Sequence, residues 1–190
     1  MKRVRISFNA PVTLTFAGLC LLVTILGIVS GDRITQALFM TYHSSLKSPL
    51  TYLRFFTHVL GHGGFAHFVG NASYLLLLGP MLEEKYGSGR LVTVILLTAF
   101  VTGLVNYIFF PQVGLCGASG VVFAFILMAS FTGFKEGEIP LTFILVALIY
   151  IGQQVVDGLT VHDNISNMAH IVGGVVGGAV GYRLNLSKRG

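Results

Sequence analysis

Long apolar runs, separated by short polar connections, dominate the sequence. A helix needs about 20 mostly apolar residues to cross the hydrocarbon core of a bilayer. Six windows approach that length: 12–30, 65–82, 91–110, 118–134, 140–156 and 166–184. No segment between them is large enough for a soluble domain. The pattern therefore predicts an all-α membrane protein in which residues 1–190 form one domain of six transmembrane helices.

Composition supports the membrane assignment. Of the 190 residues, 54% are hydrophobic and 10% are charged, and the mean hydropathy is +0.81. Soluble domains have about 25% charged residues. The net charge of +5 could indicate nucleic-acid binding, but the Lys and Arg residues occupy short patches between apolar runs. We therefore expect a lipid bilayer, and no nucleic acid, around this chain.

The basic residues also indicate an orientation. With a cytoplasmic N-terminus, nine Lys and Arg residues fall inside and three fall outside. The nine are Lys2, Arg3, Arg5, Lys85, Arg90, Lys135, Arg183, Lys188 and Arg189, and the three are Arg33, Lys47 and Arg54. Because cytoplasmic loops are enriched in Lys and Arg, this distribution predicts that both termini are cytoplasmic. The first apolar run is longer than the hydrophobic region of a usual signal peptide, so we expect a retained helix.

The stretch from Gly31 to Gly64 is the only long connection between predicted helices. It mixes His, Lys and Arg with apolar residues, which are Leu38, Phe39, Met40, Tyr52, Leu53, Phe55 and Phe56. Such an amphipathic segment is typical of the membrane interface. We expect it to lie at the outer surface of the bilayer; a fully solvated loop is the alternative.

Polar residues stand near the starts of three predicted helices. His67 and Asn71 lie in the second, Ser119 begins the fourth, and His170 is near the start of the sixth. In the predicted orientation these helices run in one direction, so the four residues share a depth within about 10 Å of the outer helix ends. Polar groups inside a bilayer are costly and usually functional.

Small residues would let the fourth and sixth helices approach closely. The sixth carries a repeated GxxxG pattern at Gly173, Gly177 and Gly181, reinforced by Gly174 and Gly178. The fourth carries the small pair Gly120 and Ala124. His170 shares a helical face with Gly173, so this contact would carry His170 toward Ser119.

Ser119 and His170 have the chemistry of acyl transfer. A serine hydroxyl is a poor nucleophile at neutral pH, and a neutral imidazole can take its proton during attack and return it to the leaving amine. The apolar windows contain no acidic residue that could be a third member. We therefore predict a catalytic dyad of Ser119 and His170.

The tetrahedral intermediate of such a reaction needs hydrogen-bond donors for its oxyanion. His67 and Asn71, one helical turn apart, could supply them beside the backbone N–H of Ser119. Gly117 and Gly120 would let the backbone turn tightly around the serine.

At these residues the chain resembles the rhomboid family of intramembrane serine proteases, in particular its small bacterial GlpG-type members with a six-helix core. The resemblance rests on a GxSG motif at Gly117-Ala118-Ser119-Gly120, an HxxxN motif from His67 to Asn71, and an AHxxG motif at Ala169-His170-Ile171-Val172-Gly173. GxSG alone is weak, but the three motifs in order on the second, fourth and sixth helices are highly specific. His58, His62 and Arg54 also match.

The resemblance implies a serine-type endopeptidase that works within the lipid bilayer without a cofactor or a metal. Its substrates would be transmembrane proteins, cleaved near the outer end of a locally unstable helix. The family's first outer loop lies partly in the outer leaflet, and substrates enter beside the fifth helix. The resemblance also implies a multi-pass protein of the bacterial plasma membrane.

Two positions depart from the family pattern. The Trp-Arg pair of the first loop appears here as Leu53-Arg54, which puts the anchoring of that loop in question. The aromatic residue that stacks on the catalytic histidine, often Tyr, would be Phe123.

Other interpretations remain open. Ser, Asn and His can simply hydrogen-bond neighbouring helices in a bundle. A metal-binding membrane protein could use His58, His62 and His67, although the chain has no HExxH motif and no carboxylate in its apolar windows. An inactive rhomboid-like protein would bind transmembrane partners without cleaving them. We expect His58 and His62 to support the first loop by hydrogen bonds, and Cys116 to be a small buried hydrophobe.

Overall fold

The described part of the chain is mostly helical. A computed structural model describes residues 7–131, 138–160 and 167–186. Within these ranges the helices are α1 (Pro11–Val29), α2 (Arg33–Leu38), α3 (Pro49–Thr57), α4 (Phe65–Tyr86), α5 (Ser88–Phe109), α6 (Ser119–Ala129), α7 (Leu141–Thr160) and α8 (Asn167–Leu186), with a 3₁₀ turn at His58–Leu60. The only strand-like pairing among them is a bridge between Thr41 and Leu115. Six basic residues used to predict orientation lie outside the described residues: Lys2, Arg3, Arg5, Lys135, Lys188 and Arg189.

Each of the six apolar windows contains one long or medium helix, namely α1, α4, α5, α6, α7 and α8. Within the described residues, α1, α4 and α5 are long and apolar enough to cross a membrane. The helix α6 is apolar but has 11 residues and ends at Ala129, before the end of its predicted window. Residues 132–134 of that window lie outside the described part of the chain.

The helix α4 continues beyond its predicted end at residue 82 and includes a buried carboxylate, Glu83. Glu83 accepts hydrogen bonds from the backbone N–H groups of Val12 and Thr13, at 2.9 and 3.0 Å. It also accepts bonds from the hydroxyls of Thr13 and Ser88, at 2.9 and 2.7 Å. The first N–H groups of a helix have no partner within the helix. Glu83 therefore caps α1 and joins it to α4 and α5.

Glycines allow α6 and α8 to pack backbone against backbone. A Cβ on Gly173 would lie 2.7 Å from the carbonyl carbon of Gly120. One on Gly177 would lie 2.6 Å from the carbonyl carbon of Ala124. Contacts this short leave no room for a side chain, and they confirm the predicted close approach of the two helices.

The first long connection contains α2, α3 and the 3₁₀ turn, and α3 has an unusual distribution of side chains. Its apolar residues Leu50, Leu53 and Phe56 are exposed. Arg54 is buried, and its Nε and Nη2 donate to the carbonyl oxygen of Ala37 at 2.9 and 2.7 Å. The guanidinium also lies 4.5 Å from the centre of the Tyr42 ring. Arg54 therefore anchors this connection, which the departure at Leu53-Arg54 had put in question.

Candidate active site

The four polar residues singled out in the sequence meet at one cavity. Ser119 is the first residue of α6, while His67 and Asn71 lie in the first two turns of α4 and His170 in the first turn of α8. All four line a cavity of about 710 Å³. The helix starts therefore bring together positions that are far apart in the sequence.

Gly117 lets the loop before α6 press against α4. Its φ of +133° lies in the region that favours glycine. A Cβ at this position would lie 2.9 Å from Cε1 of His67 and 3.7 Å from Nδ2 of Asn71. Any side chain here would displace the His67 ring. The role expected of Gly117 is thus supported, whereas Gly120 lies within α6 and serves the contact with α8 instead of a turn.

The side-chain amide of Asn71 is a buried donor without a partner. Its Nδ2 is inaccessible to solvent and makes no hydrogen bond to any described residue. Buried polar groups are nearly always paired, and an exception asks for an explanation such as a catalytic role. Nδ2 therefore remains available to a group that enters beside Gly117.

The backbone N–H of Ala118 is already engaged. It donates to Nε2 of His62 over 3.4 Å, so Nε2 is unprotonated and Nδ1 carries the proton. Nδ1 in turn donates to the carbonyl oxygen of Leu60 at 3.2 Å. Burial and the nearby His67 lower the pKa of His62 to about 4, which keeps the ring neutral. His62 thus supports the loop before Ser119, and not only the first connection as expected.

Further backbone contacts fix the loop of residues 110–118, which we call the α5–α6 loop. The N–H of Gly117 donates to the carbonyl oxygen of His58 at 2.9 Å. Thr41 and Leu115 exchange two backbone hydrogen bonds of 2.9 Å each. The first long connection therefore holds the loop that ends at Ser119 from one side.

His58 has a structural position. Its Nε2 lies 3.0 Å from the carbonyl oxygen of Ala99 and 3.4 Å from the hydroxyl of Thr102. Burial lowers the pKa of His58 to about 4, against an opposing effect of the Ala99 carbonyl. The described residues contain no group of three His, Cys, Asp or Glu side chains that could hold a metal ion. His58, His62 and His67 therefore do not form the metal site considered above.

The ring of His170 is held by an aromatic contact. Phe123 stacks on it with the ring planes 1° from parallel and the centroids 4.5 Å apart. Tyr150 of α7 meets Phe123 edge to face at 6.0 Å. Offset and edge-to-face pairs of this kind are favourable, and they limit rotation of the imidazole.

Some cavity residues were not singled out in the sequence. Tyr74 on α4 and Tyr150 on α7 interact through their hydroxyl groups, and Gln153 on α7 also lines the cavity. Cys116 lines the cavity too and is only partly buried, so the prediction of a small buried hydrophobe was wrong. Burial and the nearby Asp32 raise the pKa of Cys116 to about 11, so its thiol stays protonated. Among these residues, only Gln153 could have been identified from the sequence, because its amide lies inside an apolar window.

The apolar helices indicate a membrane protein, and the cavity that gathers Ser, His and Asn side chains at the helix starts is its candidate site. The Rhomboid domain profile matches residues 49–186, and the chain belongs to the rhomboid family. It is an integral membrane protein. Among characterised proteins it is similar to the Rhomboid protease GlpG of Enterobacter sp. (strain 638), with 32% identity over 188 aligned residues. That alignment covers 94% of this chain, which spans 65% of the length of the relative.

Proposed function

We propose that this protein is an intramembrane serine endopeptidase that cleaves transmembrane segments of other membrane proteins. The observation that carries the proposal is the cavity that gathers Ser119, His170, His67 and Asn71 from three helices. Membership of the rhomboid family and similarity to a protein named as a rhomboid protease support the reaction class.

The proposed reaction begins when Ser119 Oγ attacks the carbonyl carbon of the scissile bond and His170 accepts the hydroxyl proton. The tetrahedral intermediate collapses as His170 gives that proton to the nitrogen of the leaving amine. Water, activated by the same imidazole, then hydrolyses the acyl ester and restores the Ser119 hydroxyl. The stacked Phe123 keeps the imidazole plane in one orientation during both steps.

The oxyanion would be stabilised by the Nδ2 of Asn71, the ring of His67 and the backbone N–H of Ser119. The unpaired Nδ2 of Asn71 and the contact of both α4 side chains with Gly117 support this assignment. The N–H of Ala118 is excluded from it, because His62 already accepts that hydrogen.

Substrates would be transmembrane segments that unwind easily near their outer end. A helical peptide bond is shielded by its own backbone hydrogen bonds, so attack requires local unwinding.

In this proposal both termini are cytoplasmic, the cavity opens toward the outer face, and the exposed apolar face of α3 lies in the outer leaflet. Alkaline phosphatase fused after Gly190 should be inactive in bacterial cells; an active fusion would contradict a cytoplasmic C-terminus.

Covalent labelling tests the dyad. A fluorophosphonate probe should label the wild-type protein, fail to label Ser119→Ala, and label His170→Ala far more slowly. Ser73→Ala is a matched control, because the hydroxyl of Ser73 is exposed on α4 and bonds only to Val69 of its own helix. Equal labelling of wild type and Ser119→Ala would exclude Ser119 as the nucleophile. A wild-type protein that takes no label would favour the inactive, partner-binding interpretation.

The oxyanion assignment has its own kinetic test. Loss of one oxyanion donor raises the barrier by about 2.7–4 kcal/mol, which is a fall in kcat of about 10²–10³-fold. Asn71→Ala and His67→Ala should each show a fall of this order in the cleavage of a transmembrane substrate, while Ser73→Ala keeps wild-type turnover. Unchanged turnover in both variants would reject the role of these two side chains.

A further inference from the structure

The helix α7 contributes one side-chain amide to the cavity wall. Gln153 is exposed, lines the same cavity as Ser119 and His170, and follows Tyr150 by three residues on one face of the helix. Its amide takes part in none of the hydrogen bonds among the described residues. Gln153 is thus a free donor and acceptor that faces the proposed site.

An unpaired amide in this position is tolerated only while the cavity holds water. A substrate segment that enters will displace that water, and burial of an amide without a partner is unfavourable. The substrate must therefore supply a partner; otherwise the burial of Gln153 would weaken substrate binding. Polar groups inside membrane-spanning helices are rare for this reason.

The other polar groups of the cavity have other tasks. In the proposed reaction Ser119 and His170 carry out the chemistry, and Asn71 with His67 serves the oxyanion. The hydroxyls of the two wall tyrosines interact with each other. The amide of Gln153 is thus available to bind parts of the substrate other than the scissile bond.

The wall opposite α7 leaves room for a main chain. Gly70 of α4 lines the cavity, and a Cβ added to it would meet nothing within 4 Å. Tyr74 lies one turn along α4 from Gly70, and Tyr150 lies nearly one turn along α7 from Gln153. The two tyrosines interact with each other. Gly70 and Gln153 therefore face the same level of the cavity, beside the interacting tyrosines.

We propose that Gln153 binds the backbone of the unwound substrate segment through paired hydrogen bonds, accepting from one N–H and donating to one C=O. An unwound segment exposes such groups in pairs, and in an apolar surrounding each of them needs a partner. A glutamine side chain offers both a donor and an acceptor at its end. This inference rests on the proposed protease function and assigns Gln153 to substrate binding rather than to chemistry.

Kinetics in proteoliposomes with a synthetic transmembrane peptide test the assignment. Loss of both hydrogen bonds predicts that Gln153→Leu raises KM by about 5- to 150-fold and changes kcat by less than twofold. Leu148→Ala is the control, since Leu148 lies exposed on α7 outside the cavity lining and should leave KM unchanged. An unchanged KM in Gln153→Leu, or a loss confined to kcat, would overturn the proposal.

A scan of amide-to-ester replacements in the peptide identifies the bond itself. One ester, which removes a single backbone N–H, should raise KM for the wild type and have no further effect on Gln153→Leu. Additive effects at every position would overturn the backbone contact, as would a KM that depends only on a substrate side chain. Fluorophosphonate labelling of Gln153→Leu at the wild-type rate shows an intact site. A wild-type protein that takes no fluorophosphonate label would instead contradict the protease function.

Discussion

At the scale of single residues, the two histidines before α4 differ from the amide of Asn71 in their hydrogen bonding. His58 and His62 are buried and use their ring nitrogens to hold α5 and the α5–α6 loop. Asn71 is also buried, yet its Nδ2 has no partner among the described residues. A paired polar group stabilises the fold, whereas an unpaired donor is available for a reaction. Burial without a partner is not confined to the cavity, because Nδ1 of His58 also lacks one among the described residues. Asn71 differs in that it lines the cavity with Ser119 and His170.

The buried histidines should make stability depend on pH. The pKa of His62 is about 4 in the folded protein and that of an exposed histidine is 6.5. Between these values the unfolded state binds more protons, so the free energy of unfolding falls as the pH drops from 6.5 toward 4. His58, also with a pKa of about 4, acts in the same direction. Above pH 6.5 the full contribution is present.

Thermal unfolding in detergent between pH 7 and pH 4 measures this effect. His62→Gln removes one titrating group and should make the fall in melting temperature shallower. The control is Val59→Ala, a buried neighbour without a titrating group, which should lower stability at every pH and keep the wild-type slope. A slope that is the same in wild type, His58→Gln and His62→Gln would show that these rings do not titrate as described.

At the scale of elements, the contact between α6 and α8 determines whether Ser119 and His170 can meet. The two helices touch through backbone atoms at Gly120 with Gly173 and at Ala124 with Gly177. Small residues at such crossings are typical of membrane helices, because packing there has no help from the hydrophobic effect. His170 stands one turn before Gly173, so any widening of this contact moves the imidazole away from α6.

A single methyl group should disturb this contact. Gly177→Ala places a Cβ against the backbone of Ala124, and overpacking of this kind costs about 1–3 kcal/mol. We expect a lower melting temperature and slower fluorophosphonate labelling. Gly18→Ala on α1 is the matched control, since its Cβ would meet nothing within 4 Å and both measurements should stay at wild-type values. Equal behaviour of the two variants would contradict the close helix contact.

At the scale of the whole molecule, Glu83 connects elements at the end of α4 remote from the cavity. It caps the N-terminus of α1 and bonds to Ser88 at the start of α5. Hydrogen bonds to a charged group contribute about 1.5–3 kcal/mol, and loss of the acceptor leaves helix N–H groups unpaired. The positions of α1, α4 and α5 relative to one another depend on this carboxylate.

Replacement of Glu83 should therefore loosen the fold without touching the candidate site. Glu83→Ala is expected to lower the free energy of unfolding by about 1.5–3 kcal/mol. The adjacent Glu84 is exposed, and Glu84→Ala should leave the unfolding temperature in detergent unchanged. If both variants unfold like the wild type, the cap on α1 does not contribute to stability.

Much of this protein follows from local properties of the sequence. Hydropathy located one helix in each apolar window, since the preference of a segment for a bilayer or for a helix depends on its own residues. The motifs around His67, Ser119 and His170 identified the family, which the Rhomboid domain match confirms. The glycines of α8 predicted the contact with α6 because three- and four-residue spacing determines the face of a helix.

Only the tertiary structure decided the rest, because the deciding contacts join distant positions. Glu83 can be buried because it accepts a hydrogen bond from Thr13 at the start of α1, 70 positions away along the chain. The acceptor role of His62 depends on Ala118, which is 56 positions away. Gln153 and the tyrosine pair form a cavity wall once α7 faces α4. Local preference determined the helices, and long-range packing determined which of their polar groups remain free to act.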